Sequence, residues 1–155
     1  MELDNKKEWE QVLVTLKTLN NNRDKTNFIL DSSSSQHLVY NKELFIKGLI
    51  VSCNISICWG NNSVITALEA RSISFVFKNN KIILNNVLFI PEFNVNIISI
   101  VKLIKNNFTI NFLENKVIVF KEKEIVFKAV LEDKLYTIKT EINKVFFTKV
   151  EQLEL

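Results

Sequence analysis

Residues 82–104 read IILNNVLFIPEFNVNIISIVKLI, and this stretch decides the fold. Its first half is rich in Ile, Leu and Val, which favour β-strands, and Pro91 ends the strand because proline cannot donate to a sheet ladder. In its second half the apolar residues recur at spacings typical of a short buried helix. We therefore expect a strand over 81–90 and a buried helix over 96–105.

Strand-like segments make up most of the remaining chain. They are rich in Ile, Val and Phe and are separated by polar turn residues, often pairs of asparagines. The pair Asn79-Asn80 predicts a hairpin, because asparagine tolerates positive φ. The predicted strands are 27–31, 48–58, 63–68, 71–78, 81–90, 108–113, 116–121, 124–131 and 134–139. The pattern predicts a mainly β protein with a core of Ile29, Leu30, Ile50, Val51, Phe75, Phe77, Val87, Leu88, Ile98 and Leu103.

The two ends of the chain differ from this pattern. Apolar residues between 6 and 19 follow helical spacing, which predicts an N-terminal helix. No linker or repeat divides the sequence. We expect a helical extension over 1–26, one β domain over 27–140 and a C-terminal tail over 141–155.

Composition restricts the possible functions. Of the 155 residues, 47% are hydrophobic and 24% are charged, which is typical of a globular domain. The net charge of +3 gives little support for nucleic-acid binding, so we expect no nucleic-acid partner. No apolar run is long enough for a membrane span, and we expect no membrane association. Only two glycines, Gly48 and Gly60, are available for turns, although an all-β domain normally uses many.

The two cysteines and the single histidine exclude a zinc site made of Cys and His alone. Cys53 and Cys58 are predicted to be small apolar residues in a reducing compartment, because a disulfide within one strand is disfavoured by geometry. We therefore expect an intracellular, cytoplasmic protein without a metal or a cofactor.

A candidate site lies at residues 28–37, which read FILDSSSSQH. A carboxylate at the end of a buried strand is suited to acid–base chemistry, because the strand fixes its position. The alternative is that Asp31 is only a turn or capping residue. The serines at 32–35 could suggest a serine nucleophile, but His37 is the only histidine and nothing completes a triad.

Both stretches resemble copia-type retrotransposon Pol polyproteins, in particular their retropepsin-like aspartic protease domain. Residues 28–37 are similar to the family's Asp-Ser/Thr-Gly-Ala-Ser active-site loop, and residues 82–104 to its segment around Val-Leu-Tyr-Val-Pro. The matching positions in the second stretch are Val87, Leu88, Pro91, Asn96, Ile98, Ser99 and Leu103. Segments 107–112 and 133–138 also look like family segments.

The resemblance implies a retropepsin-like closed β-barrel with one short buried helix. It implies that Asp31, Ser32 and Ser33 occupy the catalytic loop, with Ser35 also on the family pattern. Because one chain supplies one such loop, an active enzyme would be a homodimer in which two Asp31 side chains share a proton and cut a polyprotein or peptide substrate. His37 also falls on a family position, where we expect a structural role.

The chain departs from the family at two places. Ser33 stands at the glycine of the catalytic loop, where a strained conformer would cost about 1–3 kcal/mol. Residues 65–71 match the flap but lack both of its glycines. These departures favour a domain that descends from the protease and is weakly active or inactive. The alternative is an active homodimeric aspartic endopeptidase.

Overall fold

A computed structural model describes residues 10–12, 27–48, 50–59 and 62–139, and it is mainly β. The strands are β1 (Glu10–Val12), β2 (Phe28–Asp31), β3 (Leu38–Val39), β4 (Val51–Trp59), β5 (Ser63–Phe77), β6 (Asn80–Phe89), β7 (Asn96–Ser99), β8 (Thr109–Phe112), β9 (Lys116–Lys121), β10 (Glu124–Glu132) and β11 (Leu135–Ile138). One α-helix, α1, spans Ile100–Lys105, and short 3₁₀ turns span Lys42–Leu44 and Pro91–Phe93.

The strands form one sheet in the order β1-β4-β5-β6-β3-β7-β2-β11-β10-β9-β8. Its centre is built from pairings between distant parts of the sequence. β2 runs parallel to β7, with Asp31 opposite Ser99, and β3 runs parallel to β6 and antiparallel to β7. On its other side β2 pairs antiparallel with β11, so the strand that ends in Asp31 joins the middle and the end of the described domain.

The central strands are buried on both faces because two hydrophobic cores sandwich them. Phe28 and Leu30 of β2 point into the larger core, whereas Ile29 points into the smaller one. Alternation of side chains along a strand produces this division. It explains why β2 is an unbroken apolar run rather than an alternating one.

The two halves of the sheet order pack against each other. The rings of Phe75 in β5 and Phe127 in β10 lie 5.9 Å apart, and Asn80 Nδ2 donates to the carbonyl of Ile125 at 3.1 Å. Within the described ranges, however, no ladder joins β8 back to β1. The mainly β prediction is confirmed. The described strands form an open sheet that curls around the larger core.

Three hairpin turns in the described part of the chain are built without glycine. Each places two consecutive residues at positive φ, which is the requirement of a type I′ turn. These pairs are Lys78-Asn79, Glu122-Lys123 and Asp133-Lys134. The hairpin predicted at Asn79-Asn80 is confirmed, but its two turn residues lie one position earlier, at Lys78-Asn79.

Two predicted elements differ from the structure. Segments 63–68 and 71–78 form the single strand β5, whose first half pairs with β4 and whose second half pairs with β6. The predicted helix at 96–105 begins only at Ile100, because residues 96–99 pair with β2 and Ser99 caps the helix. The strands β3 and β7 were not predicted.

The prediction of an N-terminal helix is wrong for the three residues of it that the structure describes. Residues 10–12 form β1 and pair in parallel with β4, from Glu10 opposite Ile57 to Val12 opposite Trp59. The rest of the predicted helix at 6–19 and the tail at 141–155 lie outside the described residues.

Most predicted core residues are buried. They are Ile29, Leu30, Phe75, Val87, Leu88, Ile98 and Leu103. Phe77 is half-buried against the larger core. Ile50 and Val51 are 49% and 52% exposed, so the prediction was wrong for both, since they lie at the start of β4 near the end of the sheet order.

We expect the fold to be especially sensitive to mutation of Phe75. The Phe75 ring is fully buried and contacts both Phe28, at 5.2 Å between centroids, and Phe127. We expect Phe75→Ala to lower the free energy of unfolding by about 3–5 kcal/mol, because it opens a cavity between the two sides of the sheet. Urea unfolding would measure this. The matched control is Phe112→Ala, which should cost far less because that ring is 53% exposed; similar losses would contradict the packing.

Candidate functional site

Asp31 ends β2 at the middle of the sheet, and its side chain is anchored by the next turn. Its Oδ1 accepts hydrogen bonds from the backbone N–H of Ser33 at 2.8 Å and from the Ser33 hydroxyl at 2.7 Å. An aspartate that bonds to the backbone two residues later forms an Asx turn. The structure therefore brings Asp31 and Ser33 into direct contact and leaves Ser32 exposed.

The second oxygen of the Asp31 carboxyl group is buried and has no hydrogen-bond partner within the described part of the chain. A buried polar atom without a partner is costly and is often filled by water or a ligand. No second carboxyl group is bonded to either oxygen within that same part. The described residues therefore place a single carboxyl group here, whereas aspartic-protease chemistry needs two.

The strain expected at Ser33 is absent. Ser33 is not among the described residues with positive φ, although several asparagines are. A serine can therefore occupy this position without the backbone penalty that a glycine would avoid. The effect of Ser33 on the site comes from its hydroxyl group, which occupies Oδ1.

The loop after Asp31 is held from behind by buried polar groups. Ser99 donates its backbone N–H to Nδ1 of His37 at 2.9 Å and its hydroxyl to the carbonyl of Ser34. Ser34 in turn donates its hydroxyl to the carbonyl of Gln36 at 2.7 Å. His37, Ser34 and Ser99 are almost completely buried, so these bonds fix the loop against β7.

His37 is neutral in this arrangement, as its accepting Nδ1 requires. Burial, and secondarily the charge of Lys102, lowers the pKa of His37 from 6.5 to about 3. The prediction of a structural role for His37 agrees with this hydrogen bonding.

Lys102 ties the same loop to the neighbouring strand β6. Its Nζ donates to the carbonyl of Asn86 at 2.6 Å and to Oε1 of Gln36 at 3.1 Å. Asn86 has a φ of 55° and lies beside the β6 bulge, where the register with β5 shifts. Lys102 therefore stabilises both the loop and the bulge.

The predicted flap is not a hairpin end. Residues 65–71 lie in the middle of β5, paired with β4 on one side and, at Ala70 and Arg71, with β6 on the other. β4 ends at Trp59 and β5 begins at Ser63, before this segment. A paired mid-strand position does not need glycine, so the missing glycines at 65–71 do not indicate a damaged site.

Sequence reasoning missed most of the supporting residues. Ser99, Ser34 and Lys102 were not assigned any role in the site, although a serine just before a helical apolar run is an N-cap signal. Asn96 was also missed: its side chain accepts from the Tyr40 N–H and donates to the Asn27 carbonyl, both at 3.1 Å.

Three further observations on the described residues concern metal sites, thiols and membrane-spanning helices. No group of three or more His, Cys, Asp or Glu side chains there could hold a metal ion. Cys53 and Cys58 are free and half-buried, and burial raises the pKa of the Cys53 thiol. No helix in the described ranges has the length and apolarity needed to cross a bilayer.

The fold and the site thus define a mainly β domain with one anchored carboxylate at its centre. The family model of the Pol polyprotein beta-barrel domain matches residues 28–108, which include the Asp31 loop, the central strands and α1. The chain belongs to this family. No curated protein and no solved structure matched the sequence.

The neutral state of His37 predicts a loss of stability in acid. Because its pKa is lower in the folded chain than the unfolded value of 6.5, the contribution is complete above pH 6.5 and decreases as the pH falls towards 3. The slope is about 1.4 kcal/mol per pH unit, so we expect a loss of about 2 kcal/mol at pH 5.

Urea unfolding between pH 5 and pH 7.5 would measure this slope. The matched variant is His37→Asn, whose side-chain oxygen can accept the Ser99 N–H and does not titrate. We expect a smaller pH dependence in that variant. Equal slopes in the two proteins would mean that another group titrates.

Proposed function

We propose that the chain is a copia-type, Pol-derived domain that descends from a retropepsin-like aspartic protease and is weakly active or inactive. The observation that carries this proposal is the buried, unpartnered Oδ2 of Asp31 at the end of a strand that is apolar on both faces. Such a carboxyl group is well positioned to pair with a second carboxyl group. The Asx turn hydrogen-bonds to Oδ1 and leaves Oδ2 available.

Low activity is supported by the contacts of Ser33. In an aspartic pair, the two carboxyl groups share a proton and activate a water molecule. Here the Ser33 hydroxyl donates to Oδ1 at 2.7 Å, in addition to the backbone N–H, which leaves fewer acceptor sites on the carboxyl group for that arrangement. Backbone strain does not contribute, because Ser33 has no positive φ, and segment 65–71 needs no glycine because it lies inside β5.

The alternative is an active homodimer in which Asp31 from each chain completes the site and Ser32 stabilises the two loops. The exposure of Ser32 favours it, since a hydroxyl group at that position can reach across a two-fold axis. A closed barrel completed by residues outside the described ranges belongs to the same proposal.

A peptide-cleavage assay at about pH 4–6 tests both versions, because one proton on a carboxylate pair is expected in that range. The variants are Asp31→Asn, Ser33→Gly and Ser33→Ala. We expect little or no cleavage by the natural sequence and a gain in Ser33→Gly and Ser33→Ala, which both remove the hydroxyl bond to Oδ1 and keep the backbone N–H bond. Circular dichroism at the assay pH must accompany each measurement, because His37 destabilises the fold there.

Three outcomes distinguish the hypotheses. Cleavage by the natural sequence that disappears in Asp31→Asn would support the active homodimer. A gain in both Ser33 variants would identify the hydroxyl group as the cause of low activity. If all folded variants remain inactive, the loop has lost catalysis for another reason, and the chain functions as a non-enzymatic module.

A further inference from the structure

The outer edge of β8 is open and unprotected. β8 is the last strand in the sheet order, and within the part of the chain that the structure describes no strand pairs with its far side. Natural proteins usually protect such edges with charges, proline or a bulge. Residues 106–113 contain neither a charged residue nor proline, and β8 pairs with β9 without a register shift.

The opposite end of the sheet offers a comparison. There β4 carries an irregularity in its pairing between Ser52 and Ile55, and β1 covers the part from Ile57 onward. A bulge bends and twists a strand, which discourages further pairing. The regular, uncharged edge of β8 has neither of these protections.

Apolar side chains are exposed along the same edge. Phe112 and Leu113 are 53% and 41% exposed. Phe112 lies on the core face of the sheet, because it stands opposite the fully buried Val117 and its ring contacts Tyr136 at 5.9 Å. The larger core is thus uncovered at this rim.

We propose that two copies of this chain associate by antiparallel pairing of their β8 edges, with the two-fold axis at Asn111. In this register Asn111 faces its own copy, Ile110 faces Phe112, and Thr109 faces Leu113. Side chains of the same sheet face then meet, as antiparallel pairing requires. Each exposed Phe112 ring gains an apolar neighbour, and the sheet continues across the dimer.

The charges that flank the strand complement this register. Continuing the pairing by one residue places Glu114 of one copy opposite Phe108 of the other. Lys121 lies over that Phe108 ring, at 4.7 Å from its centroid. Each Glu114 therefore approaches the Lys121 of the other copy, and the interface contains two such opposite-charge pairs because it is isologous.

Sedimentation velocity over about 10–500 µM, the range of weak interfaces, tests the proposal. We expect concentration-dependent dimers in the natural sequence. Asn111→Lys places two ammonium groups directly opposite each other and should weaken association at least about tenfold. The matched control is Asn54→Lys, an exposed asparagine on β4 near the other end of the sheet order, which should leave association unchanged.

A cross-link identifies the register independently. In a background with Cys53→Ala and Cys58→Ala, Asn111→Cys should form an intermolecular disulfide, because directly opposed residues have Cα atoms about 4.5–5.5 Å apart, which is within the range of a disulfide. Thr109→Cys is the control: its thiol would lie about 13 Å along the strand from its own copy and should not cross-link.

The outcomes separate this dimer from one that forms through the Asp31 loops. If Asn111→Lys still forms dimers and Asn111→Cys gives no cross-link, the dimer uses another surface and the proposal is overturned. A monomer at every concentration, again without a cross-link, also overturns it. Dimers lost in Asn111→Lys, together with the selective cross-link, support it whether or not the chain is a protease.

Discussion

The parallel pairing of β2 with β7 is the interaction on which the rest of the structure depends. It joins residues 28–31 to residues 96–99 and places Asp31 beside Ser99. Both strands are buried on two faces, so separating them would open the larger and the smaller core together. The hydrogen bonds within this pair alone would not be sufficient, because each contributes only about 0.5–1.5 kcal/mol. The burial of Ile29, Ile97 and their neighbours supplies the larger part.

The polar groups around Asp31 are satisfied unequally. Behind the loop, His37, Ser99 and Ser34 form a chain of hydrogen bonds in a region from which solvent is excluded. Such a network restricts motion when it is complete, because an unpaired group there is costly. At the front, Ser33 holds one carboxylate oxygen while the other has no partner. A rigid support beneath an incomplete site is what a domain that binds another group requires. It is also what remains when a family site loses its activity and keeps its fold.

The same network bears on the pH at which the proposed carboxylate pair could form. Two carboxyl groups share a proton most readily in mild acid, whereas His37 must remain neutral for Nδ1 to accept the Ser99 N–H. Lowering the pH therefore favours the chemistry of a carboxylate pair while it weakens the structure that would position it. Lys102 contributes to both sides, because it anchors Gln36 and Asn86 and also disfavours a second positive charge at His37.

Local sequence determined most of the strands, most of the core and the position of the candidate acid. Apolar runs that end at Asp31 and Pro91 identified β2 and β6, since burial and proline act locally. Asparagine pairs located one hairpin, but turns such as Glu122-Lys123 carry no residue signal for positive φ. Only the tertiary structure decided that residues 96–99 form a strand, that 65–71 lie inside β5 and that Ser33 bonds to Asp31 without strain. These features depend on partners far away in the sequence or on backbone angles set by the surrounding sheet. A pattern of neighbouring residues contains no information about either.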